Sequence, residues 1–438
     1  MKSRAKGWEM WRIAMQKLEN WKNSGHRRPL LLRGARSVGK TWLMREFGRT
    51  GYTNAVYIHF NQNSGAQHIF DGTLDAKRII KELSSFTKTE ISPETTLIIL
   101  DDIQWCPKAL IALNEFRKST PEYHIIAAGN FLEVICRKEC VEAEDKIDTM
   151  TLYPMTFLEF LTATDDSGQY AKALQSRDWD KISVFHDSIM ALLGEYLFVG
   201  GMPAAVKKFL ETGKDRAYTQ REHEMILAAN YADFSQRPGD KALSRRAGEI
   251  WNSVPKQLQE QNRRFLYSRV RPGSRGRDFD SALEWLKDTR MMYALHRVRI
   301  PQPPLADNAE PHIFKLYLPD IGLMCAMCGI RDPNFGNVSG GTMEQFVFQE
   351  LLAHGDGIPM FYWNGDKNYG EIEFVLETKG QIVPVKIRLN EGRRHSPGMK
   401  FYKGTFKPKE TIYATLGHLR HKQGDTELPI YMLGTRWE

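Results

Sequence analysis

At 438 residues, with 42% hydrophobic and 26% charged side chains, the chain is too long for one ordinary core and has the make-up of a multidomain globular protein. Its five cysteines are few and odd in number, which argues against a disulfide framework and predicts reduced thiols in a cytoplasmic protein. Sixty-one Lys and Arg against 53 Asp and Glu leave a net charge of +8, which favours an acidic partner, and no apolar run approaches the length of a membrane span.

Within residues 1–26, Trp8, Trp11, Met15, Leu18 and Trp21 recur at helical spacing without the continuous apolar core of a signal peptide, so a packing helix is expected. Residues 27–155 alternate short apolar runs with helical patterns, the mark of an α/β unit with a parallel sheet. The strands are expected at residues 29–33, 54–60, 96–101 and 123–129. Residues 156–235 turn helical, with FLEFL and ALLGEYLF spacing their apolar residues by three and four. Residues 236–335 read as helices, a basic stretch, a helix over 279–292, and two strand-like runs (293–300 and IFKLYL) separated by PQPPLADNAEP. Helices followed by a hairpin suggest a winged helix-turn-helix. Residues 336–438 give a helix over 343–353 and then the strand-like FYW, GEIEFVLE and QIVPVKIRL. Cys325 with Cys328, and Cys136 with Cys140, lack the second ligand pair that zinc needs and read as buried helix thiols.

The sharpest motif is GARSVGKT: Gly34, Ala35, Arg36, Ser37, Val38, Gly39, Lys40 and Thr41 fit the phosphate-binding pattern between an apolar strand and a helix start. The glycines let the backbone curl its N–H groups onto phosphate oxygens, and the helix adds its positive end. Lys40 would reach the β- and γ-phosphates of ATP, and Thr41 would hold Mg²⁺. Downstream, TLIILDD ends an apolar strand on two carboxylates. Asp101 is placed to support the metal shell and Asp102 to orient the attacking water, while Asn130, after HIIAAG, is placed to touch the γ-phosphate or that water. A basic stretch, QNRRFLYSRVRPGSRGRD, crowds Arg263, Arg264, Arg269, Arg271, Arg275 and Arg277 beside two aromatics; such a cluster suits a double-stranded DNA backbone, or else a solvated loop answered by acids elsewhere.

RRPLLLRGARSVGKTWLMREFG, LIILDDIQWCPKAL, EYHIIAAGN, LYPMTFLEFL and VGGMP together resemble the AAA-like ATPases of bacteria and archaea that carry a C-terminal domain of unknown function related to PD-(D/E)xK nucleases. The resemblance spans nearly the whole chain. It implies an AAA-type core (27–155), a helical lid (156–235), a winged helix (236–335) and a nuclease-like end domain (336–438). It also implies that Gly201 and Pro203, in a G-x-P element of the lid, contact the nucleotide base. Two departures matter. Where the family has Asp-Glu, this chain has Asp101-Asp102, and a base shorter by one methylene implies slow hydrolysis. Where a nuclease would carry an acid on its first helix, an Asp on a hairpin strand and Glu-x-Lys on the next, this chain has Glu344, Glu373, and Lys386 with Arg388. A lysine in the metal's seat opposes nuclease chemistry and predicts a remnant fold, with Lys386 free to pair with Glu373. Arg137 and Lys146 follow the Asn130 strand, where a neighbouring copy's nucleotide could be reached in a homo-oligomer; neither is assigned as an arginine finger.

Overall fold

A computed structural model describes residues 10–132, 136–143, 145–235, 241–333, 335–336, 338–355, 357–365, 370–389, 396–422 and 424–437. Trp8 of the expected first helix lies outside them. The chain divides into two compact units, one of Trp11–Tyr153 with Asp288–Met291, the other of Pro154–Lys287 and Met292–Glu438.

The first unit runs α1 (Ile13–Lys22), β1 (Leu30–Arg33), α2 (Lys40–Gly51), β2 (Asn54–His59), α3 (Ser64–Gln67), α4 (Ala76–Thr87), β3 (Thr96–Asp101), α5 (Pro107–Ser119), β4 (His124–Ala128), α6 (Arg137–Ala143) and β5 (Asp148–Thr151). All five strands are parallel, in the order β2-β3-β4-β1-β5. Every residue of β3 and β4 is buried, as expected of central strands covered by helices on both faces. Helix α2 turns Leu43, Met44 and Phe47 inward, and at Gly48 a Cβ would stand 2.9 Å from the Ala55 methyl, so the helix lies close on the sheet. Helix α5 opens on Pro107, whose missing N–H is one that a first turn leaves unbonded anyway, and buries Leu110, Leu113 and Phe116. Strand β5 was not expected: DTMT is short and half-polar, and only Met150 is buried.

The second unit begins with α7 (Phe157–Thr164), α8 (Gln169–Ser176), α9 (Trp179–Val199), α10 (Pro203–Glu211) and α11 (Arg216–Ser235). Helix α7 opens on a reciprocal cap in which Thr156 and Glu159 satisfy each other's backbone N–H groups. Helix α9 is long and apolar enough to cross a membrane by length and composition. It is also a core helix here, with Ile182, Ile189, Leu193 and Tyr196 to Val199 buried. The helical segment does not stand apart as a lid. The Phe157 N–H donates to Glu350 Oε1 at 2.9 Å, Gln349 Nε2 to the Tyr196 hydroxyl at 2.7 Å, and His186 Nδ1 lies 2.9 Å from the Tyr431 hydroxyl.

There follow α12 (Lys241–Gln259), α13 (Tyr267–Val270), α14 (Asp280–Asp288), the antiparallel hairpin β6 (Tyr293–Val298) and β7 (Ala309–Tyr317), and α15 (Ile321–Met327). Next come α16 (Gly340–His354), β8 (Met360–Asn364), β9 (Glu371–Thr378), β10 (Gln381–Arg388), α17 (Pro397–Phe406), β11 (Thr411–Thr415), β12 (Arg420–Lys422) and β13 (Asp425–Pro429). Helices and hairpin occur in the expected order, yet the hairpin is not free. Strand β6 pairs in parallel with β8 at Arg297 and Tyr362, making one eight-stranded sheet, β12-β13-β11-β10-β9-β8-β6-β7, that crosses the expected boundary at residues 335 and 336. Cys136, Cys140 and Cys325 are buried, Cys328 is half-buried, and none of the four forms a disulfide among the described residues.

Candidate nucleotide site

The loop between β1 and α2 curls through left-handed backbone at Ser37 (φ 64°) and Gly39 (φ 95°). At Gly34 a Cβ would come within 2.3 Å of the Leu152 carbonyl oxygen, so only glycine lets the loop pass that strand end. Buried Arg12, just before α1, braces the loop from outside by donating to the Val38 carbonyl at 3.1 Å and to the Tyr153 carbonyl at 2.7 Å. Lys40, 7% exposed, folds back over the loop. Its Nζ donates to the carbonyls of Gly34 and Ala35 and to Asn130 Oδ1, each at 2.9 Å. Those are three oxygens in the place where phosphate oxygens would otherwise satisfy the ammonium.

The strand order explains why these residues meet. Strand β4 lies between β1 and β3, so Asn130 at its carboxyl end stands between the loop and the paired acids. Thr41 Oγ1 donates to Asp101 Oδ2 at 2.7 Å, and the Tyr57 hydroxyl donates to the same oxygen at 2.9 Å. Burial and the Asp101 carboxylate push the Tyr57 hydroxyl well above a tyrosine's usual pKa, so it remains a donor. Asp101 Oδ1 accepts from the Asp102 N–H at 3.0 Å. Asp102 itself adopts left-handed backbone (φ 53°, ψ 44°). Its Oδ1 accepts from Gln104 Nε2 at 3.0 Å and Asn130 Nδ2 at 3.3 Å, and its Oδ2 lies 3.5 Å from His59 Nε2. Gln104 also accepts the Asn130 N–H through Oε1 at 3.0 Å.

Thr41, Asp101 and the loop amides fit Mg²⁺–ATP: a hydroxyl beside a carboxylate, a lysine, and a helix start following a glycine-rich curl. Tyr57, His59 and Gln104 were not anticipated. His59 and Tyr57 lie on β2, whose pairing sets His59 beside Asp101; nothing in NAVYIH marks that edge as part of a site.

The remaining expected residues fall in the second unit. The Gly201 N–H donates to buried Asp320 Oδ2 at 2.6 Å, the Gly201 carbonyl accepts from the Met155 N–H at 2.6 Å, and Pro203 opens α10. Both are explained locally by a clamped turn. Burial pushes the Asp320 carboxyl up to about 6, against three backbone N–H donors.

The basic stretch is corrected at Arg263. Its guanidinium is not presented to a partner but donates to buried Glu344 Oε2 at 2.9 Å. Arg271 pairs with Glu249 at 2.6 Å and Arg269 with Glu260 at 3.4 Å, so acids distant in sequence answer half of the cluster. Arg275 and Arg277 are exposed, and Arg264 is half-buried.

Around Glu344 lies a knot of charge. One carboxylate oxygen from each of Glu344, Glu371 and Glu373 lies within 4.8 Å of the others. Fully buried Lys315, on β7, reaches Glu344 Oε1 at 2.6 Å and Glu371 Oε1 at 2.5 Å. Lys386 Nζ lies 2.5 Å from Glu373 Oε1, and Arg388 turns instead to Glu427 at 2.5 Å. Burial would lower the Lys315 ammonium, but Glu344 and Glu371 raise it above lysine's usual value. Burial raises Glu371; at Glu344 the same pressure is outweighed by Lys315 and Arg263, and its pKa falls. Two ammonium groups thus occupy the space between carboxylates where a divalent cation would sit.

Residues 26–161 match the model of an AAA domain, and residues 190–334 and 339–433 match two domains of unknown function. No curated protein matches the chain. Among solved structures, the Walker-type ATPase of Pyrococcus abyssi is 13% identical over 72% of this chain and 94% of its own, with a TM-score of 0.43. The Orc1 protein of Aeropyrum pernix, solved in complex with DNA, is 12% identical over 73% and 91% with a TM-score of 0.26, and Cdc6p of Pyrobaculum aerophilum is 14% identical over 75% and 95% with a TM-score of 0.25. The loop, the paired acids and the domain match make residues 26–161 an AAA-like P-loop ATPase core.

Proposed function

We propose that the protein binds Mg²⁺–ATP at Gly34 to Thr41, hydrolyses it slowly, and uses the nucleotide state to switch its engagement of DNA. The observation that carries the reading is the chain Lys40–Asn130–Asp102, which joins a phosphate-seeking ammonium to a carboxylate through one amide side chain. Phosphate arriving in the loop would draw Lys40 off the Gly34 and Ala35 carbonyls and alter the bond to Asn130, so the nucleotide's state reaches the water-orienting carboxylate directly. When bound, the metal would neutralise phosphate charge beside Thr41 and Asp101. Asp102 would accept the attacking water's hydrogen bond, and its ties to Gln104 and Asn130 hold that carboxylate back, consistent with slow turnover. The DNA output draws on the net charge of +8 and on exposed Arg275 and Arg277. Against an ATP-gated nuclease stand Lys315 and Lys386 seated on the three glutamates. ATP turnover measured with and without double-stranded DNA tests the reading: a DNA-dependent rate is expected, and a chain that neither binds nor turns over ATP refutes it.

A further inference from the structure

A second concentration of positive charge lies away from the basic stretch, in a concave cleft of about 950 Å³ on the C-terminal part of the sheet. Parallel strands β10 and β11 both end there, at Arg388 and Thr415, and α17 starts there after its cap Ser396. Crevices beyond the carboxyl ends of parallel strands are where α/β sheets take ligands, and a helix start adds positive potential. The cleft's cations are Arg388, Lys400, Lys403, Arg420 and Lys422. Two acids, Glu427 and Asp425, face them. Glu427 is taken by Arg388 and Asp425 by Lys403, each at 2.5 Å, while Arg420 stands 4.0 Å from a carboxylate already in use. Lys400 and Lys422 are exposed and have no acidic partner among the described residues. Among the described residues three positive charges are therefore left over in a volume of nucleotide scale, beside exposed His421, His418, whose ring packs on His186 at 4.2 Å, and half-buried Tyr413, whose ring lies 5.0 Å from the Arg388 guanidinium. Planar rings among cations suit bases strung along phosphates; an acidic protein surface would not need a cleft.

We propose that this cleft binds the phosphodiester backbone of a nucleic-acid strand. The inference rests on the nucleic-acid output proposed above and gives it a site other than residues 263–277. Arg388 and Lys403, held rigid by Glu427 and Asp425, set the cleft's shape, while Lys400, Lys422 and Arg420 meet phosphates.

The test is fluorescence anisotropy of a labelled single strand of about twelve nucleotides with the full chain, across a salt series. The Lys400→Ala/Lys422→Ala pair changes only exposed side chains that have no acidic partner among the described residues, and is expected to weaken binding at least tenfold. The slope of log affinity against log salt should fall by about 1.4, from two lost contacts at about 0.7 each. Arg420→Ala alone should weaken binding several-fold, and ATP affinity at the phosphate loop should be unchanged in both. Undiminished binding by the Lys400/Lys422 pair overturns the cleft. Loss of binding in Arg275→Ala/Arg277→Ala instead overturns the cleft and keeps the DNA output. If the intact chain binds neither single nor double strands but still binds ATP, both nucleic-acid readings fall and the nucleotide site stands.

Discussion

Replacing Lys315 by Met removes the cation that, among the described residues, pairs with both Glu344 and Glu371, while keeping the volume of the side chain. Taking one partner from a buried pair costs about 3–5 kcal/mol, because the remaining charge is left unpaired. Arg263, 2.9 Å from Glu344, still offers partial compensation, so the lower end, about 3 kcal/mol, is expected at pH 7.5. The loss should depend on pH with a definite sign. Glu344 is held below its usual value partly by Lys315; without it, burial prevails and its pKa rises above that of the unfolded chain. A group whose folded pKa is raised contributes stability that is present below the unfolded value and lost as pH rises through the folded one. The deficit of Lys315→Met should therefore shrink on acidification by about 1.4 kcal/mol per pH unit while the native state holds one extra proton. In the parent protein Glu344 behaves oppositely, its stabilisation present above the unfolded pKa and lost as pH falls through the folded one. Urea unfolding followed by tryptophan fluorescence at pH 7.5 and 5.5 measures both. A deficit below about 1 kcal/mol at pH 7.5, or one that does not change with pH, would refute the view of Lys315 as a charge-compensating core residue.

Four further outcomes are expected. Lys40→Ala should remove most of the affinity for Mg²⁺–ATP, read by titration calorimetry; equal affinity in the two proteins sinks the loop assignment. Asp102→Asn should bind ATP yet lose turnover by about a hundredfold or more, since it can no longer accept the water's proton. A base shorter by one methylene suggests that Asp102→Glu would restore reach; with Gln104 and Asn130 both bonded to Oδ1 in the short form, the longer side chain should instead lower the rate, and an increase would show that reach is limiting. Plasmid nicking in Mg²⁺ or Mn²⁺ should be absent in the unmodified protein, because Lys386 and Lys315 oppose a divalent ion; cleavage that disappears in Glu373→Ala would restore the nuclease reading.

Much of the geometry of the candidate nucleotide site was legible because its residues are consecutive: the loop from Gly34 to Thr41, and the two acids that end TLIILD-D. Asn130 could be read too, as the first polar residue after an apolar strand. What could not be read were partners supplied by neighbours in space. His59 and Tyr57 enter through β2–β3 pairing, and Gln104 by the turn that follows Asp102. Glu371 was passed over although EIEFVLE puts Glu371 and Glu373 on one face of β9, since a strand alternates and both point the same way. Lys315 reads as the polar member of an ordinary strand, IFKLYL, yet is fully buried, and Glu344 and Glu371 from other elements make that tolerable. Strands β11 to β13 are three to five residues long, too short for an alternation to stand out, and the β6–β8 pairing joins segments far apart in sequence, about which periodicity carries no information.

That pairing decides how the chain tolerates being cut. Since β6 sits between β7 and β8, a protease nick in the connection between α15 and α16 should leave both fragments associated, released only by denaturant. Expressing residues 236–335 alone would bare the edge of β6 that β8 normally covers and take both carboxylate partners from the Lys315 ammonium, producing a sticky, partly unfolded fragment. In hydrogen exchange the hairpin amides should open together with those of β8 and β9 as a single block. Mechanically, the hairpin and the end domain behave as one plate: whatever force tilts the one carries the other with it.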